Sequence, residues 1–228
     1  MINDIKIWLF DIDGTLVRLD GAGLRALDKT FFDLFGFKDI AFNVDFYGKT
    51  DPAIYENILE IAGLPVDYAQ KYYNAIVEKY LSYLQIEIDS IIVNPVIEGV
   101  ITFLEHLKNQ PRNYIGLLTG NIETGGYIKI GKWGLLKYFD FGAFGSDSKV
   151  RADLVEIAVS RAKKKSGFDS VQKKNIFVVG DTPLDIKCAK DNGVVSIAVA
   201  TGKYGINYLK KFNPDYCVDN LINMTKII

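Results

Sequence analysis

Two aspartates spaced one residue apart, Asp11 and Asp13, follow a short apolar run and precede Gly14 and Thr15. Neighbouring carboxylates repel each other and are costly to bury unless they share a proton or a cation, and a hard divalent ion such as Mg²⁺ would resolve this. Gly14 permits a tight turn, and Thr15 offers a hydroxyl and a backbone N–H to an anion. The alternative interpretation is an ordinary Asp-Gly surface turn.

Two further junctions downstream carry complementary chemistry. Thr119, Gly120 and Asn121 follow a second apolar run and precede a predicted helix, where a hydroxyl and helix N-terminal amides can bind phosphate. A simple N-cap role for Thr119 or Asn121 is compatible with that position. Asp181 and Asp185 follow a third apolar run and could reach the cation of the first aspartate if the strands are neighbours; helix capping is the alternative for both.

The apolar runs before these residues are typical of buried parallel strands. The first, residues 5–10, is rich in β-branched and aromatic residues and too short for a helix. In open α/β sheets ligands bind at the carboxyl ends of the strands, so we expect the polar residues of the three junctions at one edge. Strands and helices alternate from about residue 93 to the end, which predicts an α/β fold.

The three motifs resemble, in order and spacing, those of the haloacid dehalogenase-like hydrolase superfamily, from residue 5 to about residue 202. They read Asp11-Ile-Asp-Gly-Thr-Leu, Thr119-Gly-Asn and Gly180-Asp-Thr-Pro-Leu-Asp. The resemblance implies a Rossmann-like parallel sheet, and the last motif is similar to that of the phosphoglycolate phosphatase-like branch. Because Asp13 is present, the chain resembles the phosphoryl-transfer members and not the dehalogenases.

The same resemblance implies roles for the aspartates. Asp11 attacks phosphorus to form an aspartyl-phosphate, while Asp13 protonates the leaving alcohol and then activates water. Mg²⁺ is held by the Asp11 carboxylate, the backbone carbonyl of Asp13 and an acid of the last motif, with Asp181 and Asp185 as candidates. The phosphate-binding candidates are Gly14, Thr15, Thr119, Gly120 and Asn121.

Two residues are candidates for the basic position that precedes the last motif. Family members usually place a lysine there, which tethers the nucleophile and the phosphate. Lys149 has the expected charge, whereas Arg151 has the better position, at the predicted start of a helix. Arg151 is favoured and Lys149 stays open, with a solvated loop charge as the alternative for the other.

The distance between the first two motifs indicates an insertion. Asp11 and Thr119 are 108 positions apart, whereas a strand, a crossover helix and a strand need only about 30 residues. Helical periodicity across the intervening segment predicts a helical cap at residues 19–92, with a core formed by residues 1–18 and 93–228. The hinges are expected at residues 21–23 and 93–95.

Substrate specificity is expected in this cap, which would close over the core and exclude water. The segment 47–51 is polar, contains a glycine and precedes a helix start, so Lys49 and Thr50 are predicted to contact the substrate. The alternative is an ordinary capping loop with Asp51 as the N-cap residue.

Composition narrows the class of protein. With 228 residues, 49% hydrophobic, 24% charged and a formal charge of −1, the chain suits a compact enzyme without a basic face for nucleic acid. No apolar run is long enough for a membrane span, and the N-terminus leads straight into the first strand without a signal peptide. Cys188 and Cys217 are widely spaced and predicted to be buried thiols, which favours a reducing, cytoplasmic location.

These observations predict a cytoplasmic, Mg²⁺-dependent phosphatase for a small phosphorylated metabolite, as a monomer or homodimer. A phosphomutase with the same motifs is the nearest alternative. A phosphonate hydrolase would require Lys49 to form a Schiff base. A non-catalytic binding protein on the same fold is the alternative from another class, although such a protein has no need of three converging acids.

Overall fold

The computed structural model describes residues 5–65, 67–222 and 224. Within these residues, six parallel strands form one sheet in the order β3-β2-β1-β4-β5-β6, which confirms the predicted α/β fold with a parallel sheet. The strands are β1 (Lys6–Phe10), β2 (Asn113–Thr119), β3 (Phe141–Phe144), β4 (Ile176–Gly180), β5 (Val195–Val199) and β6 (Tyr216–Val218).

Both faces of β1 are buried, as its apolar run predicts. Trp8 and Phe10 pack in one apolar cluster with Phe103, whereas Ile7 and Leu9 pack in a second cluster on the opposite face. Successive side chains of a strand point to opposite faces, so the four apolar residues at positions 7–10 require cover on both sides. The helices supply this cover.

The helices divide between the sheet and the insertion. Five of those described lie between β1 and β2. The first four belong to the insertion, and the first and last of these four pack against each other. They are α1 (Ala22–Phe35), α2 (Asp51–Ile61), α3 (Asp67–Lys71) and α4 (Tyr73–Ser90). The remaining helices are α5 (Val100–Lys108), α6 (Glu123–Gly131), α7 (Asp153–Ser166), α8 (Pro183–Asn192) and α9 (Ile206–Leu209).

The two segments that connect the insertion to the sheet are paired with each other. The backbone N–H of Arg18 donates to the carbonyl oxygen of Pro95 at 2.9 Å, and that of Ile97 donates to Leu16 at 3.0 Å. These hydrogen bonds hold the two connections side by side where the insertion joins the sheet. The division into a core of residues 1–18 and 93–228 and a cap of residues 19–92 stays a prediction.

Several predicted boundaries differ from the observed ones. The sequence pattern predicts a helix over residues 97–108, but α5 begins at Val100 because Gly99 has a left-handed φ of +86° that interrupts the helical backbone. The apolar run at residues 175–179 predicts a strand, which is observed one residue later as β4 (Ile176–Gly180). The helix predicted over residues 123–133 ends two residues early, because α6 ends at Gly131. In the described part of the chain, no helix combines the length and the hydropathy that a membrane crossing requires.

Candidate active site

The three motif junctions meet at one edge of the sheet. Strand β1 pairs with β2 on one side and with β4 on the other, and Phe10 lies opposite Leu117 and Val179. Asp11 follows β1 directly, and its backbone N–H donates to the carbonyl oxygen of Val179 at 3.0 Å. Thr119 ends β2 and Asp181 follows β4, so all three strands deliver polar residues to this edge.

A cavity of about 490 Å³ lies between this edge and the insertion. Its sheet end is polar, whereas its opposite wall is largely apolar and comes from the insertion. The polar end includes Asp11, Asp13, Thr119, Asn121, Arg151 and Asp181, and the apolar wall includes Leu24, Leu27, Phe46 and Ile54.

Three buried carboxylates form a cluster at the polar end. One oxygen atom from each of Asp11, Asp181 and Asp185 lies within 4.8 Å of the others. Burial raises the pKa of Asp11 to about 6 although the Arg151 guanidinium lowers it. Burial, followed by the charges of Asp185 and Asp11, raises the pKa of Asp181 well above its usual value. Three buried carboxylates with oxygens this close together suit a hard divalent cation, so these residues fit Mg²⁺.

Asp181 is held in place by the turn after β1. The Thr15 hydroxyl donates to Oδ1 of Asp181 at 3.2 Å. Gly14 has a φ of +79°, and a Cβ atom there would overlap the Asp181 carboxylate. The Thr15 hydroxyl, predicted to bind phosphate, thus binds the Asp181 carboxylate, and Gly14 allows the two motifs to approach closely.

Asp185 caps a helix and also lies in the acid cluster. Its Oδ2 accepts hydrogen bonds from the N–H and the hydroxyl of Thr182, at 3.0 and 2.7 Å, and so caps α8. Its Oδ1 lies 2.5 Å from Nη2 of Arg151. Both oxygens therefore have protein partners, so Asp185 is engaged by the protein more fully than Asp181 is.

Arg151 lies beside the proposed nucleophile and Lys149 does not. Nη2 of Arg151 is 3.3 Å from Oδ1 of Asp11, and the Arg151 side chain is 9% exposed. In the described part of the chain its Nε, also buried, has no hydrogen-bond acceptor. Lys149 is 59% exposed and pairs with Glu56 of α2 at 3.2 Å. Arg151 lies in the turn before α7, which begins at Asp153, and not at the predicted helix start.

The Thr119 motif differs from its expected role in one respect. Among the described residues, the Thr119 hydroxyl accepts hydrogen bonds from Asn121 and donates its own proton to none. The N–H groups of Ile122 and Glu123, at the start of α6, donate to Asp51 and Ser146 at 2.9 and 3.2 Å. These two helix amides are therefore occupied and do not form the expected phosphate site.

In the segment predicted to contact the substrate, the side chains of Lys49 and Thr50 form hydrogen bonds with other parts of the protein. Lys49 lines the cavity, and its ammonium donates to Asn57 at 3.0 Å. Thr50 is buried, and its hydroxyl donates to the carbonyl oxygen of Lys149 at 2.9 Å. Thr50 is the N-cap residue of α2, so the alternative that placed Asp51 at the cap was off by one residue. A Cβ on Gly120 would overlap the Lys49 carbonyl, so Gly120 allows this segment to pack closely.

Two residues of the site were missed from the sequence. Nζ of Lys129 lies 2.7 Å from Oδ2 of Asp13 and 2.6 Å from Oδ1 of Asn121. Asp51 is buried and accepts a hydrogen bond from the N–H of Ile122, which joins the insertion to the sheet end. Lys129 did leave a signal, because it occupies a buried helix position seven residues after Ile122, where a core helix normally carries an apolar residue.

The sheet, the insertion after β1 and the acid cluster together define a class of hydrolase. The family model described as haloacid dehalogenase-like hydrolase matches residues 8–199. The chain belongs to the haloacid dehalogenase-like hydrolase family.

Individual relatives are distant but similar over nearly their full length. The chain is 22% identical to the pyrophosphatase PpaX of Halalkalibacterium halodurans, over 99% of this chain and 97% of that protein. The crystal structure of a predicted phosphoglycolate phosphatase from Haemophilus somnus is 18% identical with a TM-score of 0.72, covering 100% of this chain and 99% of its own. A β-phosphoglucomutase structure from Clostridium difficile is 21% identical with a TM-score of 0.73, covering 96% and 93%.

Mg²⁺ is expected to stabilise the protein through the acid cluster. At about 100 times its Kd, a ligand that binds only the folded state adds about 2.7 kcal/mol, which raises Tm by several degrees in a chain of this size. The Asp181→Asn variant is expected to lose most of this increase, whereas Asp153→Asn, an exposed aspartate outside the cluster, should keep it. Thermal unfolding with EDTA or Mg²⁺ measures the difference. An equal rise in Tm with Mg²⁺ in Asp181→Asn and Asp153→Asn would argue against a metal site at the acid cluster.

Asp51 is expected to make stability depend on pH. Burial raises its pKa from 3.8 to about 6, although Lys129 and the N–H of Ile122 lower it. Its folded pKa exceeds its unfolded pKa, so the folded state binds the extra proton between about pH 4 and 6 and loses stability as pH rises through that window. Asp51→Asn keeps an acceptor for Ile122 but removes the charge.

Relative to the wild type, Asp51→Asn should therefore gain about 2–3 kcal/mol in the free energy of unfolding between pH 4 and pH 7. Urea unfolding of both proteins in EDTA at each pH measures this change. The other buried acids titrate in both proteins, so their contributions cancel in the comparison. A difference between the proteins that does not vary with pH would contradict the expectation.

Proposed function

We propose that this hydrolase is a Mg²⁺-dependent phosphatase that releases phosphate from monoesters of small metabolites through an aspartyl-phosphate on Asp11. One observation carries the proposal. Asp11 and Asp181 of the buried acid cluster line the polar end of the cavity, as do the donors Arg151 and Thr119, and Asp185 completes the cluster behind them. A cavity that brings anionic oxygens and phosphate-binding donors together suits phosphoryl transfer.

In the first half-reaction an oxygen of Asp11 attacks phosphorus, and the bond between phosphorus and the leaving oxygen breaks. Asp13, which lines the same cavity, gives its proton to that leaving oxygen, so the alcohol departs neutral. In the second half-reaction Asp13, now a carboxylate, takes a proton from water. The water oxygen attacks phosphorus, and the bond to Asp11 breaks to release phosphate.

Arg151 and Thr119 hold the phosphoryl oxygens in this proposal. Arg151 has a planar set of donors, one of which is buried without an acceptor in the described residues, and Thr119 has a free hydroxyl proton. Asp11, the backbone carbonyl of Asp13, Asp181 and Asp185 would hold Mg²⁺, whose charge would offset the repulsion between an anionic nucleophile and an anionic substrate.

The insertion is proposed to act as the cap that selects the substrate. It supplies the apolar wall of the cavity together with Lys49, which lines the cavity from the segment before α2. Contacts between Thr50 and Lys149, and between Asp51 and Ile122, hold this segment against the sheet end. Closure of such a cap would exclude bulk water during formation of the aspartyl-phosphate.

Release of inorganic phosphate from a panel of phosphorylated metabolites and pyrophosphate, with Mg²⁺ or with EDTA, tests the proposal. We expect Mg²⁺-dependent release from at least one monoester. Transfer of phosphate between positions of a sugar without net release would support the phosphomutase instead. No reaction with any compound would favour the non-catalytic binding protein.

A further inference from the structure

Lys129 is a buried cation that the mechanism above does not use. It lies in α6, and its side chain is 7% exposed. Burying an ammonium is costly unless it is paired and hydrogen-bonded, so a lysine at such a position requires a specific set of partners. Its neighbours in the chain, Ile128 and Ile130, pack in the apolar core, as the rest of that helix face does.

The partners of Lys129 form a closed triangle with Asp13. The ammonium donates to Oδ2 of Asp13 at 2.7 Å and to Oδ1 of Asn121 at 2.6 Å. Asn121 in turn donates from Nδ2 to the same Oδ2 at 2.8 Å. One oxygen of Asp13 thus accepts two hydrogen bonds, and a rotation of the carboxylate would break both of them.

The other oxygen of Asp13 is available for chemistry. No residue of the described ranges donates a hydrogen bond to Oδ1, the Asp13 side chain is 45% exposed, and Asp13 lines the cavity. A side chain that gives a proton in one direction needs one oxygen held in place and the other free. In Asp13 the two hydrogen bonds hold Oδ2, and this fixes the direction in which Oδ1 points.

The insertion encloses the ammonium from the other side. A Cβ on Gly23 of α1 would lie 3.2 Å from Nζ of Lys129, and Tyr80 of α4 is close by. Lys129 therefore lies where the insertion meets the sheet end, and among the described residues it donates hydrogen bonds only to Asp13 and Asn121.

We propose that Lys129 is a positioning residue that, with Asn121, fixes Oδ2 of Asp13 and so presents Oδ1 to the leaving oxygen of the substrate. The inference rests on the proposed phosphatase function, in which Asp13 transfers that proton. It predicts a selective defect. A poor leaving group such as an alkoxide needs the proton from Asp13, whereas p-nitrophenolate departs without it.

Kinetics with the two kinds of substrate test the role. Lys129→Met is expected to lower kcat/KM about 100-fold or more for an alkyl phosphate and less than about 10-fold for p-nitrophenyl phosphate. The ratio kcat/KM covers the first half-reaction only, so it does not include the later step in which Asp13 takes a proton from water for both substrates. Lys129→Arg should recover part of the loss. In an Asp13→Asn background, Lys129→Met should cause no further loss, because both act on one step. If the single variant fails to fold, this double variant removes the Asp13 charge that Lys129→Met leaves without its lysine partner.

Lys132→Met is the matched control. Lys132 follows α6 and donates to the carbonyl oxygens of Ile88, Asp89 and Ile91, so it also joins the helix to the insertion but makes no contact with Asp13. The ratio of the two substrates should not change in this variant. Two results would overturn the inference. One is an equal loss of kcat/KM for both substrates in Lys129→Met, and the other is a further loss of kcat/KM when Lys129→Met is added to Asp13→Asn.

Crystal structures of the two lysine variants provide a readout that needs no turnover. The inference expects the Asp13 carboxylate to leave its present orientation in Lys129→Met, while Asp11 and Thr119 stay in place, and to keep it in Lys132→Met. An unchanged Asp13 in Lys129→Met would overturn the inference. If the wild type releases no phosphate, the proposed function fails, and these structures alone decide the role of Lys129.

Discussion

Replacing Asp11 with asparagine is expected to lower kcat for phosphate release by roughly 10⁴-fold or more, as loss of a covalent nucleophile does in other hydrolases. The amide occupies the same space but has no anionic oxygen with which to attack phosphorus. The fall in kcat should be similar for all substrates, including those with good leaving groups, because every substrate requires attack by Asp11 on phosphorus.

The fold of Asp11→Asn is expected to survive. The pKa of Asp11 is raised to about 6, so its carboxylate destabilises the folded protein above that pH, and a neutral side chain removes this penalty. In EDTA at pH 7.5 the variant should unfold at a temperature no lower than the wild type. Asp20→Asn, an aspartate at the cavity wall away from the cluster, is the matched control and should retain activity. Substantial turnover by a folded Asp11→Asn protein would contradict the assignment.

Replacing Arg151 with methionine is expected to damage both stability and catalysis. Removing one partner of a buried ion pair typically costs about 3–5 kcal/mol, because the remaining charges, here Asp11 and Asp185, are left uncompensated. Loss of a donor to the transferred phosphoryl group should also lower kcat/KM by about 10²-fold or more. Urea unfolding and steady-state kinetics measure the two effects separately.

Lys149→Met is the control that separates the two basic candidates. The ion pair of Lys149 with Glu56 is largely exposed, so the free energy of unfolding should fall by no more than about 1 kcal/mol. Activity should stay within a few-fold of the wild type. Inactivation by Lys149→Met together with near-normal activity in Arg151→Met would reverse the assignment.

The strand-end acids could be predicted from the sequence because each follows an apolar run that can only be a buried strand. Residues 7–10 are all apolar and so predict a strand buried on both faces, which places Asp11 where that strand ends. Strand β3 was not identified, because Phe-Gly-Ala-Phe is four residues long and half of it is glycine and alanine, which have low strand propensity.

Contacts between distant segments could not be predicted in the same way. Arg151 and Lys149 are two residues apart in a turn, and only the folded backbone determines which one faces Asp11. The carboxylate of Asp51 reaches the start of α6 from a separate helix, a contact with no local sequence signature. Lys129 was detectable in principle, since it interrupts the apolar face of α6, but its partner Asp13 lies 116 residues away.

Reductive trapping of the intermediate tests the central claim most directly. The protein would be mixed with the best substrate and Mg²⁺, quenched during turnover and treated with borohydride, which reduces an acyl phosphate of aspartate to homoserine. Mass spectrometry of the N-terminal peptides is expected to show homoserine at position 11, only with substrate, and none at position 13. An unmodified Asp11 in protein that is releasing phosphate, or modification at another residue, would contradict the account.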